Sequence, residues 1–306
     1  MSWKDYRAID RDSYSTLSQY QKDRKQYYKK FILKEQIQEK PNPYYVYGSL
    51  VDCLLFTPEE FKTRFFVSTA AEPVPQMAEF TRNLAKRIVE DAAMPTRENL
   101  RSLMVYAYND TKFDKKGDIV AFKAQTVEKT VERFFKECKD YLRSLLNLEM
   151  GVDLISLYDY DRAQYAITSL NRNATIGPIV QQQSNDRYIV YKQLVVLYEI
   201  NGMLLKSMLD LVIIDTLTKK IFIYDLKTSH NVDDFNYCFV KFNYYIQLGC
   251  YTVAILTWMQ QNGYSEYELV PMKFIVIDNT NYMAPLLYES TVSSVASCLL
   301  GFYAGN

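Results

Sequence analysis

Residues 202–251 read GMLLKSMLDLVIIDTLTKKIFIYDLKTSHNVDDFNYCFVKFNYYIQLGCY, and the folding of this stretch decides how the chain is organised. Two apolar, β-prone runs, LKSMLDLVIID and KIFIYDLKT, flank the polar connection Thr216-Leu217-Thr218-Lys219, a hairpin pattern. Asp210 lies inside the first run; Asp225 and Lys227 stand two apart in the second, so both point to one face of the strand. A helical segment follows in which Gln247 and Tyr251, at i and i+4, share a face.

Working outward, RYIVYKQLVVLYEI (187–200) is a further strand, joined to the hairpin by Asn201-Gly202, the strongest short turn signal in the chain. Residues 203–215 and 220–228 are the hairpin strands, and 239–260 is predicted as one helix stopped by Asn262-Gly263. A buried strand over 269–278, a short one over 285–288 and a closing helix over 291–302 complete a β-β-β-α-β order. Upstream, 10–35 reads as a polar helix capped from Asp10, Asp12 or Ser13, with a break at Lys40-Pro41-Asn42-Pro43. Ser49 to Leu55 form a largely buried helix in which Asp52 is the odd residue, because a carboxylate on an apolar helix is costly unless paired or metal-bound. Helices are expected over 77–92, 97–108 (capped by Thr96 after a break at Met94-Pro95), 119–150 and 159–170. The expected organisation is N-terminal helices over 1–75, a helical insertion over 76–185 and a core over 186–306, in an α/β fold with a mixed central sheet flanked by helices.

Composition narrows the function classes. Lys plus Arg equals Asp plus Glu at 36 each, so no global charge pulls the chain toward nucleic acid, although a local basic groove is allowed. The five cysteines are scattered without a CxxC pair, which gives no zinc ribbon or iron–sulfur signature. With His230 the sole histidine, and read as an exposed loop residue, no Ser/His/Asp or Cys/His relay can be assembled. No leader pattern opens the sequence and no apolar run reaches the ~18 residues that would span a bilayer, so a cytoplasmic location without a membrane partner is expected.

The chemistry follows from oxygen ligands. Magnesium, or manganese, takes one or two carboxylates plus waters and substrate phosphate. Asp210 and Asp225 on neighbouring hairpin strands can converge on one such ion, while Lys227 beside them would orient an attacking water and offset charge on phosphate. Gln247 and Tyr251 can hydrogen-bond the water, the lysine or the phosphate. Singly, each of these residues also suits an ordinary structural position; together, carboxylates flanked by Met208, Leu209, Leu211, Ile223 and Leu226 are poor surface residues.

Asp210, then Asp225-Leu226-Lys227-Thr228, then Gln247-x-x-x-Tyr251 resemble the D…(D/E)xK…QxxxY pattern of the PD-(D/E)xK nuclease superfamily in its RecB-like branch. The segment YGSLVDCLLFTPEEF (47–61) is similar to a stretch of phage and RecE-type exonucleases, in which a Gly-initiated helix carries a His and a Leu-rich run ends in Glu-Pro-x-x-Phe. Residues 10–20 resemble their opening S-x-S-x-L segment. The resemblance implies a restriction-endonuclease-like fold and a magnesium-dependent exodeoxyribonuclease acting on linear DNA in recombination or replication, in the host cytoplasm if phage-encoded. It implies Asp210 and Asp225 as metal ligands with the Leu226 carbonyl, Lys227 as the catalytic lysine, and Gln247 and Tyr251 in support; a homo-oligomer and a single-strand annealing partner are likewise implied. Two positions depart from the pattern: Asp52 stands for the histidine, as a candidate metal ligand, and Thr57 for the acidic residue. A structure-specific or restriction-like endonuclease, or an inactive DNA-binding or assembly module on the same fold, remain open alternatives.

Overall fold

A computed structural model of the protein describes residues 2–35, 42–91, 97–115, 118–121, 126–230, 232–278 and 285–303. Of the break expected over Lys40-Pro41-Asn42-Pro43, the last two residues are described and start the helix Pro43–Phe56, the Asn42 side chain accepting from the Tyr44 N–H. Lys40-Pro41, Met94-Pro95 and the Thr96 cap lie outside the described residues. The chain divides into two compact units, 1–60 with 162–306, and 61–161. Among the described residues no helix is long and apolar enough to cross a membrane.

The first unit is built on the hairpin strands. We label Tyr188–Ile200 β1, Met203–Asp215 β2, Lys220–Ser229 β3, Lys273–Asp278 β4 and Leu286–Glu289 β5; they form a mixed sheet in the order β5-β4-β3-β2-β1. Asn201 and Gly202 both take positive φ (51° and 81°), which lets a two-residue turn follow the strand twist between β1 and β2. β1, β2 and β3 run antiparallel, while β4 lies parallel to β3, as the helical crossover between them requires. The helices used below are α1 (Pro43–Phe56), α2 (Phe235–Lys241), α3 (Tyr244–Gln261) and α4 (Val292–Tyr303). α3 is apolar almost all round, with Leu248, Cys250, Ala254, Ile255 and Trp258 buried against Leu209, Val212, Ile223 and Phe274 of the sheet. A helix without a polar face belongs in a core.

Three expected elements are divided. The helix over 239–260 is two helices, α2 and α3, parted at Asn243, whose left-handed φ of 58° is one that Asn tolerates. The segment 10–35 breaks at Asp23, whose side chain caps a new helix at the Gln26 N–H, and its last turn, Tyr28–Ile32, is a π-helix. The strand over 269–278 is Glu268–Leu269 followed by β4, because Pro271 between them has no N–H to donate.

The second unit packs Pro75–Glu90 against Arg97–Asp110 and Lys139–Glu149 around Met77, Phe80, Leu84, Met104 and Phe134. The continuous helix expected over 119–150 is instead a strand, Asp118–Ala121, and two helices, Val127–Glu137 and Lys139–Glu149. They meet at Cys138, a fully buried residue with φ −120° and ψ −1°; the break turns both apolar faces onto one core, which a straight helix could not do. Paired Phe65–Ser68 and Asp153–Ser156 form a parallel two-stranded sheet within this unit.

Asp215 ends β2 as a polar staple. Its carboxylate takes two hydrogen bonds from Arg187 (3.0 and 2.6 Å) and the N–H groups of Leu217 and Thr218 at the hairpin turn. Arg187 first, and the turn amides with it, hold this carboxyl well below the usual carboxylate range. A depressed carboxyl adds stability above its unfolded pKa of ~3.9 and loses it as pH falls through the folded value. Asp215→Asn is therefore expected to lower the melting temperature at pH 7, with the deficit shrinking below pH 3; thermal melts from pH 2 to pH 7 check this.

Candidate functional site

The site is set where β2 and β3 part. They pair regularly from Asp215↔Lys220 to Leu211↔Tyr224, and there the ladder stops. β3 runs on, paired with β4 alone from Asp225↔Phe274 to Ser229↔Asp278. Continued register would put Asp210 opposite Asp225. Instead the Asp210 side chain turns into the gap, and its Oδ2 accepts the Leu226 N–H at 2.9 Å in place of a strand carbonyl. In an extended strand a residue's N–H and C=O point to the same side, so the Leu226 carbonyl also faces this opening.

Asp225 is the most enclosed of these groups, 1% exposed. Its Oδ1 accepts from Gln247 Nε2 at 2.7 Å, and its Oδ2 forms an ion pair with the Lys227 ammonium. That ammonium also lies 5.0 Å from the Tyr244 ring centroid, a cation–π position. Gln247, 3% exposed, lies in the first turn of α3, which begins just after the break at Asn243, and from there it reaches Asp225. Tyr251, one turn later, is buried as well, but its hydroxyl donates to the Met208 carbonyl on β2 at 2.8 Å. Of the helical pair, only Gln247 therefore touches a carboxylate directly; Tyr251 fastens α3 to the strand that carries Asp210.

Asp52 reaches the same place from α1. Gly48 sits against Thr228, where an added Cβ would lie 3.2 Å from the threonine hydroxyl, so the glycine lets α1 approach β3 closely. One turn on, Asp52 accepts two hydrogen bonds from Gln193 Nε2, at 3.0 and 2.9 Å, and its charge acts on Asp210. The structure thus brings Asp52, Asp210, Asp225, Leu226, Lys227 and Gln247 together, with Tyr251 behind them. His230 is exposed just beyond β3.

Sequence reasoning passed over Gln193 and Tyr244. The polar doublet Lys192-Gln193 interrupting an apolar strand was a signal for the first. The second depends on a helix break that composition does not show.

Burial is the first cause of unusual acidity here. It pushes the Asp210 carboxyl well above its ordinary value, and repulsion from Asp52 and Asp225 adds to it against the opposing pull of Lys227. Burial also raises Asp225, partly offset by Lys227 and Gln247. For Lys227 burial works the other way, but Asp225 and its neighbours outweigh it and the ammonium is held above its usual range.

Among the described residues, no three carboxylate, imidazole or thiolate side chains stand as a ready-made metal cluster. Each of the three carboxylates is turned to a partner in the protein. The donor chemistry nevertheless suits a hard divalent cation. Gln193 Oε1 and Gln247 Oε1 are enclosed with no hydrogen-bond partner among the described residues, beside carboxylates that repel one another. A hydrated magnesium ion, which needs only one or two carboxylates and keeps its waters, offers donors to the amides and charge to the acids.

Because an ionised Asp210 is disfavoured in the fold, it subtracts stability as pH rises from the unfolded carboxylate pKa of ~3.9 toward its raised folded value. Asp210→Asn keeps an acceptor for Leu226 and removes that cost. In chelator, its melting temperature is expected to exceed the parent's at pH 7, with a smaller gain at pH 4; no gain at pH 7 would contradict the electrostatic account.

No protein-family model matches this chain, and no curated protein matches it in sequence. Among solved structures it is similar to a crystal structure from Eubacterium rectale described as a "putative exonuclease", at 12% identity and a TM-score of 0.49, covering 99% of this chain and 83% of that one.

Proposed function

We propose that the protein is a magnesium-dependent deoxyribonuclease that hydrolyses phosphodiester bonds, working as an exonuclease on linear DNA. The observation that carries this reading is the convergence of Asp210, Asp225 and Lys227 at the parting of two strands, beneath Gln247 and beside Asp52. Asp210, Asp225 and the Leu226 carbonyl would hold the cation, with Asp52 as a further donor from α1. When bound, the cation would polarise the scissile phosphate and lower the pKa of a water. Manganese would serve in the same oxygen-donor set.

The chain's own groups account for the rest. Lys227 is a protonated donor held by Asp225 and by the Tyr244 ring, and would offset charge growing on a phosphate oxygen. Gln247 fixes the Asp225 rotamer, and Tyr251 fixes the helix that carries Gln247. The apolar packing around α3 keeps bulk water from screening these charges. The retained acidic groups and lysine favour an active enzyme over a module that only binds DNA, since such a module would have no use for buried charges that burden the fold. The helical block that sequence places over 76–185 is, on this reading, an insertion into the chain of the catalytic core.

Purified protein incubated with linear and covalently closed circular DNA is expected to degrade the linear form with magnesium and neither form with chelator. Lys227→Ala is expected to lower kcat by roughly 10²–10³-fold, the usual loss when one preorganised transition-state donor is removed. Cutting of closed circles would make the enzyme an endonuclease. No metal-dependent hydrolysis, or an undiminished Lys227→Ala variant, would end the proposal.

A further inference from the structure

Gln193 lies in the middle of the longest strand pair and yet departs from strand geometry. Its neighbours pair regularly with β2, Lys192 with Leu211 and Leu194 with Leu209, so Gln193 stands across from Asp210. Its φ is +54°, a left-handed value that a non-glycine residue rarely adopts and that strains its backbone. Nothing in the β1–β2 hairpin demands this, because the register is the same on both sides of the residue and no extra residue has to be absorbed. What the conformation achieves is a redirection: Gln193 Nε2 donates to both oxygens of Asp52, on a helix 141 residues away in sequence. The same side chain keeps its Oε1 enclosed and without a hydrogen-bond partner among the described residues.

We infer that Gln193 is a positioning residue of this site, tying the Asp52 carboxylate of α1 to β1 at the position across from Asp210 and offering Oε1 to a water of a bound divalent cation. The inference rests on the cation reading above and adds a residue to it. A histidine at position 52 could orient itself through its second ring nitrogen. A shorter aspartate has no such handle, and the amide of Gln193 holds it by both oxygens. The amide also serves as an outer support, the kind of contact whose loss typically weakens metal affinity by about 10–100-fold.

Mn²⁺ binding to the full chain without DNA, followed by electron paramagnetic resonance, tests this independently of catalysis. Gln193→Gly is the variant of choice, since glycine accepts the left-handed backbone and removes only the side chain. Mn²⁺ affinity is expected to fall about tenfold or more. Asp52→Asn is expected to fall similarly, and the double variant little further than either single one, because the two residues act as a unit. A Gln193→Gly protein that binds Mn²⁺ like the parent, or a double variant whose losses simply add, would overturn the role of Gln193 and leave the nuclease reading intact. A parent that binds Mn²⁺ but leaves DNA uncut would overturn the nuclease reading alone. A parent that binds no Mn²⁺ would overturn both.

Discussion

The hydrogen bond from the Leu226 N–H to the Asp210 carboxylate, made where β2 leaves β3, is the contact on which the arrangement of the core depends. A sheet interior that opens leaves backbone donors and acceptors unpaired, which is costly unless something else satisfies them. Here a side chain does so. With the carboxylate standing in for a strand, β3 continues on β4 alone past Tyr224, and Asp225 and Lys227 lie on this part of the strand, beyond the end of the β2 ladder. α1 and α3 then close over that stretch, α1 at the glycine that lets it touch Thr228 and α3 through Gln247 and Tyr251.

The same arrangement sets a conflict between stability and reactivity. Burial weighs against ionised carboxyls at Asp210 and Asp225, with repulsion from neighbouring carboxylates adding at Asp210, while the Lys227 ammonium, paired with Asp225, supplies opposite charge. A core built for stability alone would place apolar residues here. Elsewhere in the first unit, charges are paired in the ordinary way: Asp215 with Arg187 at the sheet end, and Lys206 with the Tyr6, Arg7 and Ile9 carbonyls that close an N-terminal helix. The strained Gln193 belongs with the first group, since its backbone cost is borne where the carboxylates gather.

Much of this was legible in the chain because strand periodicity and turn chemistry are local. Asn201-Gly202 could scarcely be anything but a tight turn, and the apolar runs on either side of 216–219 had the length and branching of paired strands. The spacing of Asp225 and Lys227, and their apolar neighbours, was enough to mark them as misplaced for a surface. That Asp52 would act on Asp210 could only be suspected from its cost on a buried helix.

What the residues by themselves determined, then, was the identity of the strands, the turn between them and the polar side chains that their apolar surroundings could not explain. Tertiary structure alone decided where the β2–β3 ladder ends, that Asn243 and Cys138 would break helices that periodicity runs together, and that Gln193 would leave the strand geometry to reach Asp52. The physical reason is the range of the forces concerned. Periodicity and turn preference are properties of neighbouring residues. The parting of two strands and the turning of a helix onto a core are instead settled by contacts between residues distant in sequence, whose packing and electrostatics override local preference.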